Sequence, residues 1–447
     1  MPATNASVSY KDIADGRTIR SSTLVLAAFA SMFFSRLLET VGAPAFINFI
    51  HFITIPSASL LVWTICKALD REQLVTTKAI FCGLYAFLCI TALSALFNRA
   101  GIINGVLNFI LQAEPFIMLA TIIYLPLTKA KFERFKRWIL TFGLINLSLA
   151  MLQKVAISAG VLAVTSGTHE DNVQGVFYFS GGGHVTSGTV SLIFGLYYYA
   201  SVKKAPTWLR LLAVFLVLVQ IIVADTKQAV LVAAIACVVL IITKAADVKT
   251  AFKYIVLAAI VGYGFYWCIY NISFFRAYTV WIRPHIYGPE GEATLLKTFA
   301  LREIPTFYTS PINWLVGLGP GHTIGRIGGW MFRDYANLFN PLGATSHPVT
   351  QSIWDAWGDS YLDSSFFSPF WGWAGIWGDL GLLGVASYLS LWLIVWFKVC
   401  KDDMSRFLVL NAIVNGLVFT FMEDPGYMLT NATLLGLRWH EHRLRIA

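Results

Sequence analysis

The chain has 447 residues, 57% of them hydrophobic and only 13% charged, with a formal net charge of +9. Soluble domains carry about 25% charged residues, so this composition excludes a soluble globular protein. The basic excess is expected to face anionic lipid at one membrane surface, and it does not require a nucleic-acid partner.

Residues 1–20 are polar and read as a loosely ordered tail. The first apolar run lacks a convincing cleavage site, so no cleavable signal peptide is expected. From residue 21 onward apolar runs are centred near residues 30, 55, 87, 115, 150, 193, 216, 236 and 262, and again near 387, 413 and 431. Each approaches the ~20 residues that carry a helix across the hydrocarbon core. Helix is the default because lipid offers no partner to an unpaired backbone group. The expectation is an all-α polytopic membrane protein of about twelve transmembrane helices. Nine occupy 21–273, a single large loop domain fills 274–367, three more lie in 368–437, and 438–447 form a tail.

Basic residues test this order independently. Of the 33 Lys and Arg, 23 gather at 11–20, 67–78, 129–137, 203–210, 244–253, 398–406 and 438–445. These are alternate ends of successive spans, the arrangement that the positive-inside rule produces. Both termini are then cytoplasmic and the long loop lies outside. The six cysteines fall in helices or at their ends, which sets aside a disulfide framework and a Cys-ligated zinc site.

Charges at membrane depth are costly and are functional candidates by default. In chain order they are Arg36 and Glu39 at the outer end of the first span, Glu114 before Pro115, Lys154, and the Glu423-Asp424-Pro425 turn. Each either anchors a helix end through a pair or serves a ligand. The loop from Thr165 to His184 ends in Gly181-Gly-Gly-His184 and reads as a flexible re-entry or a site. Lys227 opens the eighth span after Ala224-Asp225-Thr226. A cation at a helix N-terminus is disfavoured by the helix dipole, so Lys227 either pairs with Asp225 or holds an anionic headgroup.

The long loop concentrates the remaining chemistry. It carries Arg276, Arg283, Arg302, Arg326 and Arg333, the run Gly317-Leu-Gly-Pro-Gly-His322, and many Trp and Tyr. Glu292 to Ala300 reads as a short helix leading to Arg302. The glycine run is neither a nucleotide-binding P-loop nor a dinucleotide fingerprint. Arginine's planar fork suits bidentate binding of phosphate, so several arginines beside a membrane point to a lipid diphosphate or to a surface of scattered ion pairs. Trp314, Trp330 and Tyr335 either stack on sugar rings or fill the core of the loop. His322 and His347 are general-base candidates because histidine titrates near neutrality, and Asp363 is an alternative. No convincing pair of metal ligands is present.

Three local patterns, in this order and on this topology, resemble the O-antigen ligase and O-antigen polymerase superfamily of bacterial inner-membrane proteins. Lys227-Gln-Ala-Val-Leu231 resembles the family's Arg-x3-Leu at the start of a late span. Arg302, Trp314 and Gly317-Leu-Gly-Pro-Gly321 resemble its loop arginine, aromatic and glycine turn. Gly378-Asp-Leu-Gly-Leu-Leu-Gly384 resembles the segment leading back into the membrane. Two departures stand out: a lysine replaces the family's arginine at Lys227, and the position of the ligase histidine is Phe370, so that histidine is either absent or relocated to His347. The resemblance therefore implies a polysaccharide polymerase of the C-type glycosyltransferase fold, with a ligase transferring glycan to a lipid acceptor as the alternative. A transporter, the reading from another class, would need polar residues along a path through the whole bilayer.

On this reading the substrate is a polyprenyl-diphosphate-linked glycan, in the company of membrane lipid and other polysaccharide assembly proteins. Lys227 and Arg302, helped by Arg276 or Arg283, would neutralise the leaving diphosphate. His347, His322 or Asp363 would accept the acceptor's proton. No cofactor or metal is implied.

Overall fold

Apolar runs in lipid satisfy their backbone groups internally as helices, and the computed structural model follows that rule throughout. It describes residues 21–165, 167–244, 248–272, 279, 284–358 and 372–446, and no strand occurs among them. The first ten helices are α1 (Ser21–Phe33), α2 (Ser35–Thr40), α3 (His51–Ile65), α4 (Arg71–Phe97), α5 (Ile102–Tyr124), α6 (Lys129–Ser158), α7 (Gly183–Ser201), α8 (Thr207–Val223), α9 (Lys227–Thr243) and α10 (Val248–Asn271). The loop contributes α11 (Pro284–Tyr287), α12 (Glu292–Glu303), α13 (Asn313–Val316), α14 (Phe332–Asp334), α15 (Ala336–Phe339) and α16 (Pro348–Trp357). The chain returns through α17 (Gly372–Ile394), α18 (Asp403–Val418) and α19 (Pro425–Ile446).

All twelve apolar centres lie inside helices. Among the described residues five helices are long and apolar enough to cross a membrane: Arg71–Phe97, Ile102–Tyr124, Lys129–Ser158, Lys249–Asn271 and Gly372–Val399. Four others, α1, α3, α8 and α9, are apolar but shorter. Of the remaining runs, α18 is 16 residues long, and α7 and α19 are long enough but carry polar residues packed between neighbours. In α7, Ser187 and Ser191 meet Asn146 of α6 (3.1 and 2.9 Å), and in α19 Tyr427 donates to Asn411 of α18 at 2.6 Å. A helix surrounded by protein does not need an apolar surface, so its composition understates its depth.

The centre of the bundle is α5, which packs against α3, α4 and α19. Its Glu114 is 1% exposed and accepts from His51 Nδ1 of α3 at 2.8 Å, so the buried carboxylate has a partner. An aromatic cluster of Phe29, Phe33, Phe142, Phe177 and Phe194 ties α1 to α6 and α7.

Polar contacts between helix ends sort into two sets. At one end Arg438 pairs with Asp402 and Glu441, Arg443 pairs with Asp70, and Lys401 pairs with Glu72 at 2.9 Å. At the other end the long loop sits on the bundle. Ser94 at the end of α4 donates to Val316 O (2.6 Å) and Asp379 O (2.9 Å). Asn104 of α5 donates to Pro320 O (3.0 Å) and Thr345 O (2.9 Å).

Candidate functional site

Two glycine-bearing runs separated by some sixty positions of sequence meet backbone to backbone where the loop docks. Leu318 N donates to Gly378 O (2.9 Å) and Gly319 N to Asp379 O (3.0 Å). A Cβ on Gly317 would lie 2.5 Å from the Asp379 carbonyl, and one on Gly381 would lie 2.3 Å from Leu315 C. Both glycines hold positive φ, +72° and +65°, a region that side chains disfavour. The glycine pattern is therefore a close approach of two chains, and Gly381 places the kink in α17 that accommodates it.

Asp379 locks this crossing. It is 5% exposed, and its carboxylate accepts from Gly321 N (2.8 Å), Thr323 N (3.0 Å), Thr323 Oγ1 (2.5 Å) and Asn108 Nδ2 (2.9 Å). A buried carboxylate with four donors is a structural anchor, and it aims the next stretch of the loop.

That stretch delivers Arg326 to the turn between α18 and α19. Arg326 N donates to Glu423 Oε2 at 2.6 Å, and Nη1 lies 4.0 Å from Asp424 Oδ2. Asp424 also accepts from Thr186 Oγ1 of α7 at 2.9 Å and caps α19 through Tyr427 N at 2.9 Å. Burial lowers the Arg326 pKa, Asp424 and Glu423 oppose that shift, and the Arg36 guanidinium reinforces it as a neighbouring like charge. Arg36 pairs with Glu39 at 3.0 Å and donates to Phe179 O at 3.3 Å. The Arg326 side chain keeps 33% of its surface and that of Arg36 22%. The result is two cations with open faces, backed by the carboxylates Glu39, Glu423 and Asp424.

Lys227 has a carboxylate partner of its own. It opens α9 and pairs with Asp225 at 2.5 Å. Asp225 lies within Coulomb range of His184 in the first turn of α7, the turn that also carries Thr186. Arg302 is placed differently. It stands exposed on α12 and donates back to Leu295 O (3.0 Å) and Thr298 Oγ1 (3.4 Å) of its own helix. Arg276, Arg283 and Asp363 lie outside the described residues.

His322 spends both ring nitrogens, and His347 its Nδ1, on holding the loop. His322 is 3% exposed; Nδ1 donates to Leu318 O (2.8 Å), and Nε2 meets Thr345 Oγ1 (2.8 Å), which in turn accepts from Gly101 N (2.9 Å). Burial lowers its pKa, so the neutral ring is favoured. His347 caps α16, its Nδ1 accepting from Val349 N at 3.2 Å, and its ring lies 5.7 Å from that of His322. Burial and the neighbouring His322 push its pKa down to about 4. With Nδ1 used as an acceptor, the neutral ring carries its proton on Nε2. It has no spare lone pair for a substrate.

This arrangement has a pH consequence. The His347 value in the folded chain lies below that of a free imidazole, about 6.5, so the unfolded chain takes up the proton first as pH falls. The stability His347 contributes is full above about pH 6.5 and is lost as pH falls toward its folded pKa of about 4. His347→Asn keeps a side-chain acceptor for Val349 N and removes the titration. The acid sensitivity of the loop, followed by limited proteolysis across that window, should become shallower. An unchanged profile would remove His347 from the account.

The aromatics divide. Tyr335 packs edge-on against Phe49 at 4.9 Å and Trp330 against Trp354 at 6.5 Å, so both serve the packing of the loop. Trp314 is 48% exposed and leans on Tyr308 (5.1 Å) and Trp377 (6.1 Å), presenting an open ring. Burial raises the Tyr308 pKa to about 12, leaving a neutral hydroxyl beside that ring.

No protein-family model matches the chain, and no curated protein matches it in sequence. The fold defines an all-helical membrane protein. At the docked end Arg326 meets the Glu423–Asp424 turn, with Arg36 acting on it as a neighbouring like charge.

Proposed function

We propose that the protein is a membrane glycosyltransferase of the polysaccharide-polymerase type, moving a glycan from a polyprenyl diphosphate carrier to a sugar hydroxyl. In this reading the chain crosses a bacterial inner membrane about twelve times, with both termini cytoplasmic and the loop in the periplasm. The acceptor oxygen forms a bond to the anomeric carbon while the carbon–oxygen bond to the diphosphate breaks. The diphosphate leaves with the bonding electron pair, and the acceptor's proton passes to a carboxylate.

The observation that carries this reading is the delivery of Arg326 to the Glu423–Asp424 turn beside Arg36. Two guanidiniums at the loop end of the bundle suit a diphosphate, whose charge rises as it departs, and stabilising such charge is often the largest catalytic contribution. Asp424 is the carboxylate we assign to the proton. It stands closest to the Arg326 guanidinium and keeps 17% of its side-chain surface, whereas Glu423 is 6% exposed. Lys227, which pairs with Asp225 at 2.5 Å, is assigned a supporting role, and Trp314 offers its face to the glycan. Arg302, held on its own helix, is left out of the leaving-group site.

Lys227→Ala tests the reading in cells that carry the variant as their only copy. Surface glycan should shift to shorter chains, and unchanged full-length product would argue against the assignment. The same profile separates polymerase from ligase: loss of a polymerase leaves single repeat units, whereas loss of a ligase leaves long chains on the carrier lipid.

A further inference from the structure

At the end of the bundle opposite the docked loop, α6, α7 and α8 part around an open cavity of about 1070 Å³, with the end of α19 contributing to its lining. Its apolar wall is formed by buried Leu147 and by the exposed side chains of Leu144, Leu212 and Leu216, and cations line the rest of its rim. Lys129, Arg137, Lys203, Lys204 and Arg445 all stand exposed there. None of these five pairs with a carboxylate among the described residues. The two carboxylates in the wall are committed elsewhere: Glu133 to Lys136 (3.2 Å), and Glu441 to Lys136 (3.5 Å), Arg438 and the Tyr197 hydroxyl (2.9 Å).

We propose that this cavity binds one anionic phospholipid bearing more than one phosphate, its chains along the leucines and its headgroup among the five cations. The charge is complementary and concentrated at the mouth, while the wall is apolar below it. A soluble anion would leave the leucine wall uncovered. A neutral lipid would leave the cations without counter-charge. Basic pockets between membrane helices recognise multiply charged headgroups on these terms. The site is remote from the Arg36–Arg326 pair and does not depend on the function proposed for it.

Native mass spectrometry of the full chain released from nanodiscs tests the proposal, with diphosphatidylglycerol and phosphatidylethanolamine as competing probes. The wild-type protein should retain diphosphatidylglycerol preferentially. Combined Arg137→Ala, Lys203→Ala and Lys204→Ala, all exposed positions, should lower retention at least tenfold. Leu144→Trp, which fills the groove and leaves every charge in place, should lower it as well. Lys131→Ala with Arg134→Ala, on the face of α6 toward a separate groove beside α1, should leave it unchanged. Equal retention of both lipids, loss with the Lys131 and Arg134 pair alone, or displacement of the lipid by inorganic pyrophosphate would overturn the proposal.

Discussion

Replacing Arg326 with alanine should reduce chain growth by about 10²–10³-fold, the loss that follows removal of one donor from a developing negative charge, or about 2.7–4 kcal/mol of barrier. The substitution isolates the guanidinium, because the bond that docks this part of the loop runs from the Arg326 main chain to Glu423 and survives in alanine. Loop position, judged by protease resistance, should therefore stay as it is while product length collapses. Arg326→Lys should recover part of the activity, since lysine restores the charge as a single point without the fork. Glycan of normal length in the alanine variant would overturn the proposed diphosphate site.

The second large effect concerns the crossing of the two glycine runs. Asp379→Ala leaves Gly321 N, Thr323 N and Asn108 Nδ2 buried without their acceptor. Each orphaned donor costs about 1–3 kcal/mol, so the loop should lose at least about 3 kcal/mol of docking free energy. Gly381→Ala should act in the same direction by another route, combining positive φ with a Cβ that would lie 2.3 Å from the main chain of Leu315. Left-handed backbone at a residue with a side chain costs about 1–3 kcal/mol before any clash. For both variants the expected result is a loop cleaved by added protease at concentrations the wild-type protein resists, with the membrane helices still intact. A protease-resistant loop in both would show that the crossing is not what holds it.

The two experiments answer different questions. Arg326→Ala removes a side chain from a loop that stays in place, whereas Asp379→Ala releases the loop that positions Arg326. Activity should fall in both, but loop stability in only one.

Much of the architecture was visible in local chemistry. The twelve apolar centres, the helix beginning at Glu292 and the start of a span at Lys227 all correspond to helices of the structure. The number of crossings was less legible, since α7 and α19 carry buried polar residues that composition alone cannot distinguish from solvated ones. Several site charges were visible one at a time, but their companions were not. Arg36 and the Glu423-Asp424-Pro425 turn were legible as charges at membrane depth, and Arg326 as one of five loop arginines, yet the contact from Arg326 to Glu423 spans 97 positions. Residue type singles out Arg302 and the two histidines, but it says nothing of how a side chain's hydrogen-bonding capacity is already used. His322 and His347 hold the loop, and Arg302 folds back onto α12.

By itself the sequence determined that this is a helical membrane protein, where its helices lie, and that one arginine-rich loop interrupts them. Those properties follow from runs of neighbouring residues, because helix formation and partition into lipid act over about twenty consecutive positions. Only the tertiary structure decided which cation meets which carboxylate, and that the glycines of two distant runs are there to let backbones touch. Such choices depend on side-chain direction and on the pairing of buried charges across the chain, and no local stretch of sequence encodes them.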